Sequence, residues 1–129
     1  AGADALIVPK NRSCHLTPAV RKISSGGSEL LPFIVVTNIN RTIEKISNSG
    51  VKIIGAAAET GKNYCEIDMT GSLALIIGSE DKGLKRLTSE KCDSIASIRM
   101  PGKIESLNAS VTAGIMLFEY VRQNNHPKT

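Results

Sequence analysis

The stretch Leu73-Ala-Leu-Ile-Ile-Gly78-Ser-Glu-Asp-Lys-Gly83 joins five consecutive apolar residues to a loop that begins and ends with glycine. An apolar run of this length, closed by a glycine, is typical of a strand that is buried on both faces. The two glycines allow a tight turn, and they also allow a ligand to approach the backbone closely. A tight turn with solvated charges explains the string about equally well, so both interpretations stay open at this point.

Apolar runs of similar length lie on both sides of this stretch, and helical patterns separate them. The other predicted strands are Ala5–Pro9, Phe33–Val36, Val51–Gly55 and Ser94–Ile98. Four helices are predicted. The first starts at Thr17-Pro18, and the second starts at Asn38 and stops at Gly50. The third lies near Leu84–Lys91, and the fourth runs from Ser106 to about Gln123. The segment between Ala56 and Ser72 is predicted to be a loop. Strands that alternate with helices predict an α/β fold, with a mostly parallel sheet and helices on both faces.

Composition narrows the class of protein. The chain has 129 residues, 41% of them hydrophobic and 22% charged, which fits one globular domain. No apolar run approaches the roughly 20 residues of a membrane span, and no signal peptide is visible, so we expect a cytoplasmic protein. Three scattered cysteines without a C-x-x-C pair predict neither a disulfide framework nor a metal site. The net charge of +4 permits a nucleic-acid partner, and the aromatic content of 3% favours phosphate contacts over base stacking.

Ligands of parallel sheets bind at the carboxyl ends of the strands, so the loops there hold the candidate site residues. The loop after Ile77 lacks the Lys that follows the second glycine of a P-loop, since Leu84 stands there. Lys10, Asn11 and Arg12 follow the first strand, where a solvated loop and contacts to the phosphates of a nucleic-acid partner explain them about equally well. After Ile98 comes a turn at Pro101-Gly102. Ser106 is then the expected N-cap of the last helix, and a run of small residues follows Asn108.

Two strings in these loops resemble family motifs. Gly78-Ser-Glu80-x-x-Gly83 and Ile98-x-Met-x-Gly-x-x-x-Ser106-Leu107-Asn108-x-Ser-Val resemble the second and third motifs of the SpoU-type (TrmH-like) RNA 2′-O-ribose methyltransferases. The earlier stretch from Val8 to Pro32 is similar to the branch that methylates a guanosine ribose in 23S rRNA. The resemblance covers essentially the whole chain.

The resemblance implies a fold, a cofactor and a set of roles. It implies a deep trefoil knot in the C-terminal part, S-adenosylmethionine as the methyl donor, a homodimer and no metal. The residues that match cofactor contacts of the family are Gly78, Ile98 and Leu107. The residues that match its catalytic region are Glu80, Ser106 and Asn108. The family's first motif, with an Asn and an Arg, has no counterpart here, so residues 1–129 are expected to be the knotted catalytic domain without its first strand and first motif.

Two other functions remain open from the sequence. One is a knotted RNA-binding module without turnover, and the other is a related knotted enzyme that methylates a base. The presence of Glu80 and Asn108 favours a catalyst, and the order Ser106-Leu107-Asn108 favours ribose methylation.

Overall fold

The computed structural model describes residues 1–10, 31–57, 61–79, 83–103 and 108–125. The chain forms two compact units, Ala1–Thr42 and Ile43–Thr129. In the first unit, β1 (Leu6–Pro9) pairs in parallel with β2 (Phe33–Val36). Both strands are where the sequence predicts them. The predicted helix that starts at Thr17-Pro18 lies outside the described residues.

Helix α1 (Ile39–Asn48) begins as its capping residue predicts. The Asn38 side-chain oxygen accepts a hydrogen bond from the Arg41 amide at 3.1 Å, which satisfies one of the free N–H groups of the first turn. Ile43 is buried, and Gly50 has a φ of 92° just after the helix ends. A left-handed residue there is the usual way to stop a helix, and glycine adopts it without strain.

The second unit is built on a four-stranded parallel sheet. Its strands are β3 (Lys52–Ala56), β4 (Lys62–Asn63), β5 (Leu73–Ile77) and β6 (Ser94–Ser97), in the spatial order β4-β6-β3-β5. Its shorter helix α2 (Arg86–Glu90) and its long helix α3 (Ala109–Asn124) follow β5 and β6. The parallel α/β prediction is confirmed. The prediction that Ala56–Ser72 is all loop is wrong, because β4 and a 3₁₀ turn at Tyr64–Glu66 lie within it. A two-residue strand is too short for a hydrophobic pattern to indicate it.

The central strand β3 is covered on both faces. On one face Ile54 and Ala56 belong to a buried cluster that includes Met69 and, from α3, Met116. On the other face, a methyl group added to Gly55 would lie 2.7 Å from a Leu84 methyl, and Leu84 lies just before α2. A continuous apolar strand is therefore explained by burial on both sides. No helix in the described ranges is long and apolar enough to cross a membrane.

The end of α3 is fixed to the loop Ile67–Gly71, which precedes β5. Tyr120, Gln123 and Asn124 reach the backbone of this loop through hydrogen bonds from their side chains. Glu119 lies beside them with its side chain 6% exposed. It accepts hydrogen bonds from Arg122 and from Gln123.

Glu119 should make this fold sensitive to acid. Its hydrogen bonds from Arg122 lower its pKa below the ordinary value of 4.5. A carboxyl group whose pKa falls on folding stabilises the folded state above its unfolded pKa. That contribution is lost as the pH drops through the lower, folded pKa. Asp68 acts in the same direction, because hydrogen bonds from Thr70 lower its pKa.

Urea unfolding between pH 7 and pH 3 measures this effect. Glu119→Gln should unfold more easily at pH 7 and lose part of the dependence on pH. An identical pH dependence in the variant and the parent would contradict the assignment.

Candidate active site

The carboxyl ends of three neighbouring strands bring the candidate residues to one edge of the sheet. In register, Ala56 of β3 lies between Ile77 of β5 and Ala96 of β6. Neighbouring strands are about 4.8 Å apart, so β5 and β6 end roughly 10 Å from each other. Gly78 directly follows β5, and Ile98 directly follows β6. Both loops therefore begin at the carboxyl edge of the sheet, where the sequence predicted the candidate residues.

Gly78 is required by the turn that it begins. Ser79 and Gly83 exchange two backbone hydrogen bonds, of 3.2 and 2.8 Å, and Gly83 has a φ of 61°. A Cβ atom on Gly78 would lie 2.2 Å from the Gly83 carbonyl carbon, far closer than real Cβ contacts. The tight-turn interpretation therefore accounts for this glycine. Contact between its backbone and a ligand stays a prediction, and Glu80 lies outside the described residues.

Ile98 and the residues after it line the neighbouring part of the edge. The Ile98 side chain is half-buried and packs against the core cluster. This packing fixes the first residue of the loop, so the backbone there has a defined position at the sheet edge. Arg99 and Lys103 follow and are exposed, so the loop carries positive charge.

Asn108 caps α3. Its side-chain oxygen accepts hydrogen bonds from the Val111 amide at 2.8 Å and from the Ser110 hydroxyl at 2.9 Å. The prediction that Ser106 is the N-cap is wrong, because the helix begins two residues later than the pattern indicated, at Ala109. Asn and Ser are about equally good caps, so the sequence could not choose between them. The side-chain nitrogen of Asn108 takes no part in these two hydrogen bonds.

Helix α3 runs antiparallel to the strands, so its first residues lie toward the same edge. Tyr120 donates a hydrogen bond to the Gly71 carbonyl, which lies just before β5. Asn108 is twelve residues earlier, about 18 Å along a helix. Gly78 is seven residues after Gly71, about 23 Å along an extended strand. On these two lengths, Asn108 and Gly78 lie within about one helical turn of the same level.

The other predicted residues fall in different places. Ser106 and Leu107 lie outside the described residues, as do Asn11 and Arg12. Lys10 follows β1 in the first unit and is exposed. Within the described ranges, no group of three His, Cys, Asp or Glu side chains could hold a metal ion.

Sequence reasoning missed the side chains that fix the far end of α3. The predicted helix ended at about Gln123, and Asn124 had no place in the prediction. Polar residues in the last turn of an otherwise apolar helix are the one signal that pointed to them.

Comparison with known proteins shows which family the chain belongs to. The family model described as the SpoU rRNA methylase family matches residues 1–118. The chain belongs to the SpoU rRNA methylase family. It is 47% identical over 123 residues to the 23S rRNA (guanosine-2′-O-)-methyltransferase RlmB of Pseudomonas putida, covering 95% of this chain and 50% of the relative. It is 48% identical over 126 residues to the protein of the same name from Coxiella burnetii, covering 98% and 50%.

A solved structure shares the fold. The SpoU methyltransferase AviRb from Streptomyces viridochromogenes, in complex with the cofactor AdoMet, matches with a TM-score of 0.85 and 28% identity. The match covers 95% of this chain and 50% of that one. The chain spans about half the length of the curated relatives that it matches.

Proposed function

We propose that this SpoU family member transfers a methyl group from S-adenosylmethionine to a ribose 2′-hydroxyl of RNA, with a guanosine of 23S rRNA as the substrate. The observation that carries the proposal is the meeting of Gly78, Ile98 and Asn108 at the carboxyl edge of a parallel sheet. This edge is where ligands of such sheets bind. The names of the Pseudomonas and Coxiella relatives support the choice of substrate.

The residues at this edge suit the cofactor. Gly78, Ile98 and Leu107 would hold it through backbone groups, and Gly78 and Ile98 begin their loops at the sheet edge. When bound, S-adenosylmethionine supplies an electrophilic methyl group attached to a sulfonium. The AdoMet complex of the structural neighbour supports this cofactor.

Ribose methylation then needs an aligned hydroxyl that can lose its proton. Alignment of two bound reactants can contribute several kcal/mol, about 7–11 in the best intramolecular cases. Glu80, Ser106 and Asn108 would position the ribose and its hydroxyl. Asn108 suits this role, because its side-chain oxygen serves the helix while its nitrogen can donate to a substrate oxygen.

A location in the cytoplasm is proposed as well, because an rRNA substrate is found there. RNA would also be held through phosphate contacts of Lys10, Asn11 and Arg12. Neutralised phosphates release counterions, so the affinity falls as the salt concentration rises. The logarithm of the binding constant falls by about 0.7–0.9 for each contact per tenfold rise in salt. Arg12→Ala should weaken binding to a 23S rRNA transcript and flatten this slope by about that amount. An unchanged slope would leave Arg12 a surface charge.

The C-terminal part is proposed to carry the deep trefoil knot that the family resemblance implies. The spatial order β4-β6-β3-β5 supports this, because β6 lies between two strands that precede it in the chain. A crystal structure that traces residues 80–82 and 104–107 tests it, and an unthreaded trace would refute it.

A homodimer is proposed through the exposed face of α3. Phe118 is 61% exposed and Val111 is 42% exposed. They are seven residues apart, so they lie on the same side of the helix. Gly114 lies between them, and an added methyl group there would meet no atom within 4 Å. An apolar stripe with open space beside it fits a second copy of the same helix.

Phe118→Asp should convert the dimer to a monomer, because a buried unpaired carboxylate is costly. The matched control is Leu87→Asp, which places the same charge on α2 at a residue that is 55% exposed. Light scattering at micromolar concentration should give a dimer for the control and a monomer for Phe118→Asp. A dimer for both variants would place the interface elsewhere.

The function itself is tested with the full-length protein, tritiated S-adenosylmethionine and an unmodified 23S rRNA transcript. We expect label in RNA and a single 2′-O-methylguanosine after nuclease digestion. Label on a base would identify a base methyltransferase. RNA binding and cofactor binding without label would identify a binding module, and either result would overturn the proposal.

A further inference from the structure

Strand β5 and helix α3, which lead to Gly78 and Asn108, are both attached at their far ends to one loop at the opposite edge of the sheet. The loop Ile67–Gly71 leads through Ser72 into β5, and Gly78 directly follows that strand. The same loop receives the last turn of α3, whose first turn is capped by Asn108. The height of Asn108 relative to Gly78 is therefore set by how α3 is attached to this loop.

The attachment consists of five hydrogen bonds, which we call the α3 anchor. Gln123 accepts from the Met69 amide at 2.7 Å and donates to the Ile67 carbonyl at 2.9 Å. Asn124 accepts from the Gly71 amide at 2.9 Å and donates to the Met69 carbonyl at 3.0 Å. The Tyr120 hydroxyl donates to the Gly71 carbonyl at 3.1 Å.

The loop that receives the anchor is itself held in place. The Lys52 ammonium group, from the first residue of β3, donates to the Asp68 carbonyl at 2.8 Å and to the Thr70 carbonyl at 3.4 Å. The Asp68 side chain accepts hydrogen bonds from the Thr70 amide and hydroxyl. The loop is thus tied to the central strand as well as to α3.

Apolar packing and hydrogen bonds together fix the position of α3 along its axis, because Met116 packs in the buried cluster and the anchor adds contacts that have a direction. Hydrophobic attraction has no direction, and α3 carries apolar residues on several sides. These residues are Val111, Ile115, Met116, Leu117, Phe118 and Val121. Hydrogen bonds do have a direction, and two amide side chains that each both donate and accept allow only one axial position.

We propose that Gln123 and Asn124 are positioning residues for methyl transfer, which hold Asn108 at the level of Gly78 from about 22 Å away. This inference rests on the proposed function, because it takes Asn108 as part of the site. A helix that slips by one turn moves its first residue by about 5.4 Å. A displacement of about 1 Å in a site can reduce the rate about 100-fold.

The test compares Gln123→Ala/Asn124→Ala with Ile53→Val in the full-length protein. Ile53 is fully buried and lies outside the cluster that contains Met116 of α3, so its truncation is a control for lost stability away from the helix. We expect kcat to fall about 10- to 100-fold in the double variant, at a temperature where both variants are folded. KM for the 23S rRNA transcript should change less than about twofold, and Ile53→Val should keep the parent kcat.

A crystal structure of the double variant supplies the second measurement. The distance between the Asn108 and Gly78 Cα atoms should change by about 1 Å or more. An unchanged distance, or a kcat within twofold of the control, would overturn the inference. If the double variant does not fold, the single variant Asn124→Ala, which removes two of the five anchor bonds, should show a smaller change of the same kind, and an unchanged kcat and distance would again overturn it.

Failure of the proposed function would look different. The parent protein would then transfer no methyl group to the transcript. The distance between Asn108 and Gly78 would still report whether the anchor sets the position of α3.

Discussion

Gly78→Ala is expected to weaken S-adenosylmethionine binding about 30- to 150-fold. The added Cβ atom cannot remain 2.2 Å from the Gly83 carbonyl carbon and 2.4 Å from its oxygen, so the loop must open. Opening it breaks the two hydrogen bonds between Ser79 and Gly83. Two such hydrogen bonds contribute about 1–3 kcal/mol in net terms, and the upper part of this range, about 2–3 kcal/mol, corresponds to that loss if the cofactor needs the closed loop.

The matched control for this prediction is Gly102→Ala. Gly102 lies in the loop after β6, and an added methyl group would meet no atom within 4 Å. Calorimetry should therefore give near-parent affinity for Gly102→Ala and weak binding for Gly78→Ala. Equal affinity of Gly78→Ala and the parent would show that the closed turn plays no part in holding the cofactor.

Met116→Ala is expected to remove about 2–5 kcal/mol from the free energy of unfolding. Met116 is 1% exposed and packs in the cluster with Ile54, Met69 and Ala96. Its truncation leaves a cavity between α3 and the sheet. A domain of this size has about 5–15 kcal/mol in total, so the loss is a large share.

Phe118→Ala is the comparison within the same helix. Phe118 lies two residues away and is 61% exposed, so its truncation should change the stability of a monomer by no more than about 0.5 kcal/mol. Urea unfolding at low protein concentration measures both variants. A difference below about 1 kcal/mol between them would contradict the packing of Met116 in the core.

The strands and helices were predictable wherever the hydrophobic pattern agrees with the residues that start or stop an element, such as a capping Asn or a terminal Gly. The run Leu73–Ile77 is followed by glycine, and α1 has both a capping Asn38 and a stopping Gly50, so the predicted and observed elements coincide within a residue or two. Strand β4 could not be predicted, because Lys62 and Asn63 are polar. They form a strand only because β6 offers its edge to them.

The candidate site was predictable in part. That Gly78 and Ile98 lie at the same edge of the sheet follows from parallel strands, which the alternation of elements indicates. The strand order that separates them by one strand did not follow from the sequence. The role of Gly78 in its own turn did not follow, because the collision is with Gly83, and only coordinates give that distance. The anchor was invisible for a similar reason, since Gln123 and Asn124 act on a loop more than 50 residues earlier in the chain.

The spatial order of the sheet has a consequence for how the chain folds during synthesis. Strand β3 is central, yet one of its neighbours, β6, begins about 40 residues later, where Asp93 bonds to Ile53. At 5–20 residues per second, a ribosome exposes β3 for about 2–8 s before that partner emerges. Ile53 and Ile54, fully buried in the end, stay uncovered during that interval. Ile54 waits longer still for its cover from α3, because Met116 emerges about 60 residues after it, so the buried face of the sheet is completed only when the last helix has been made.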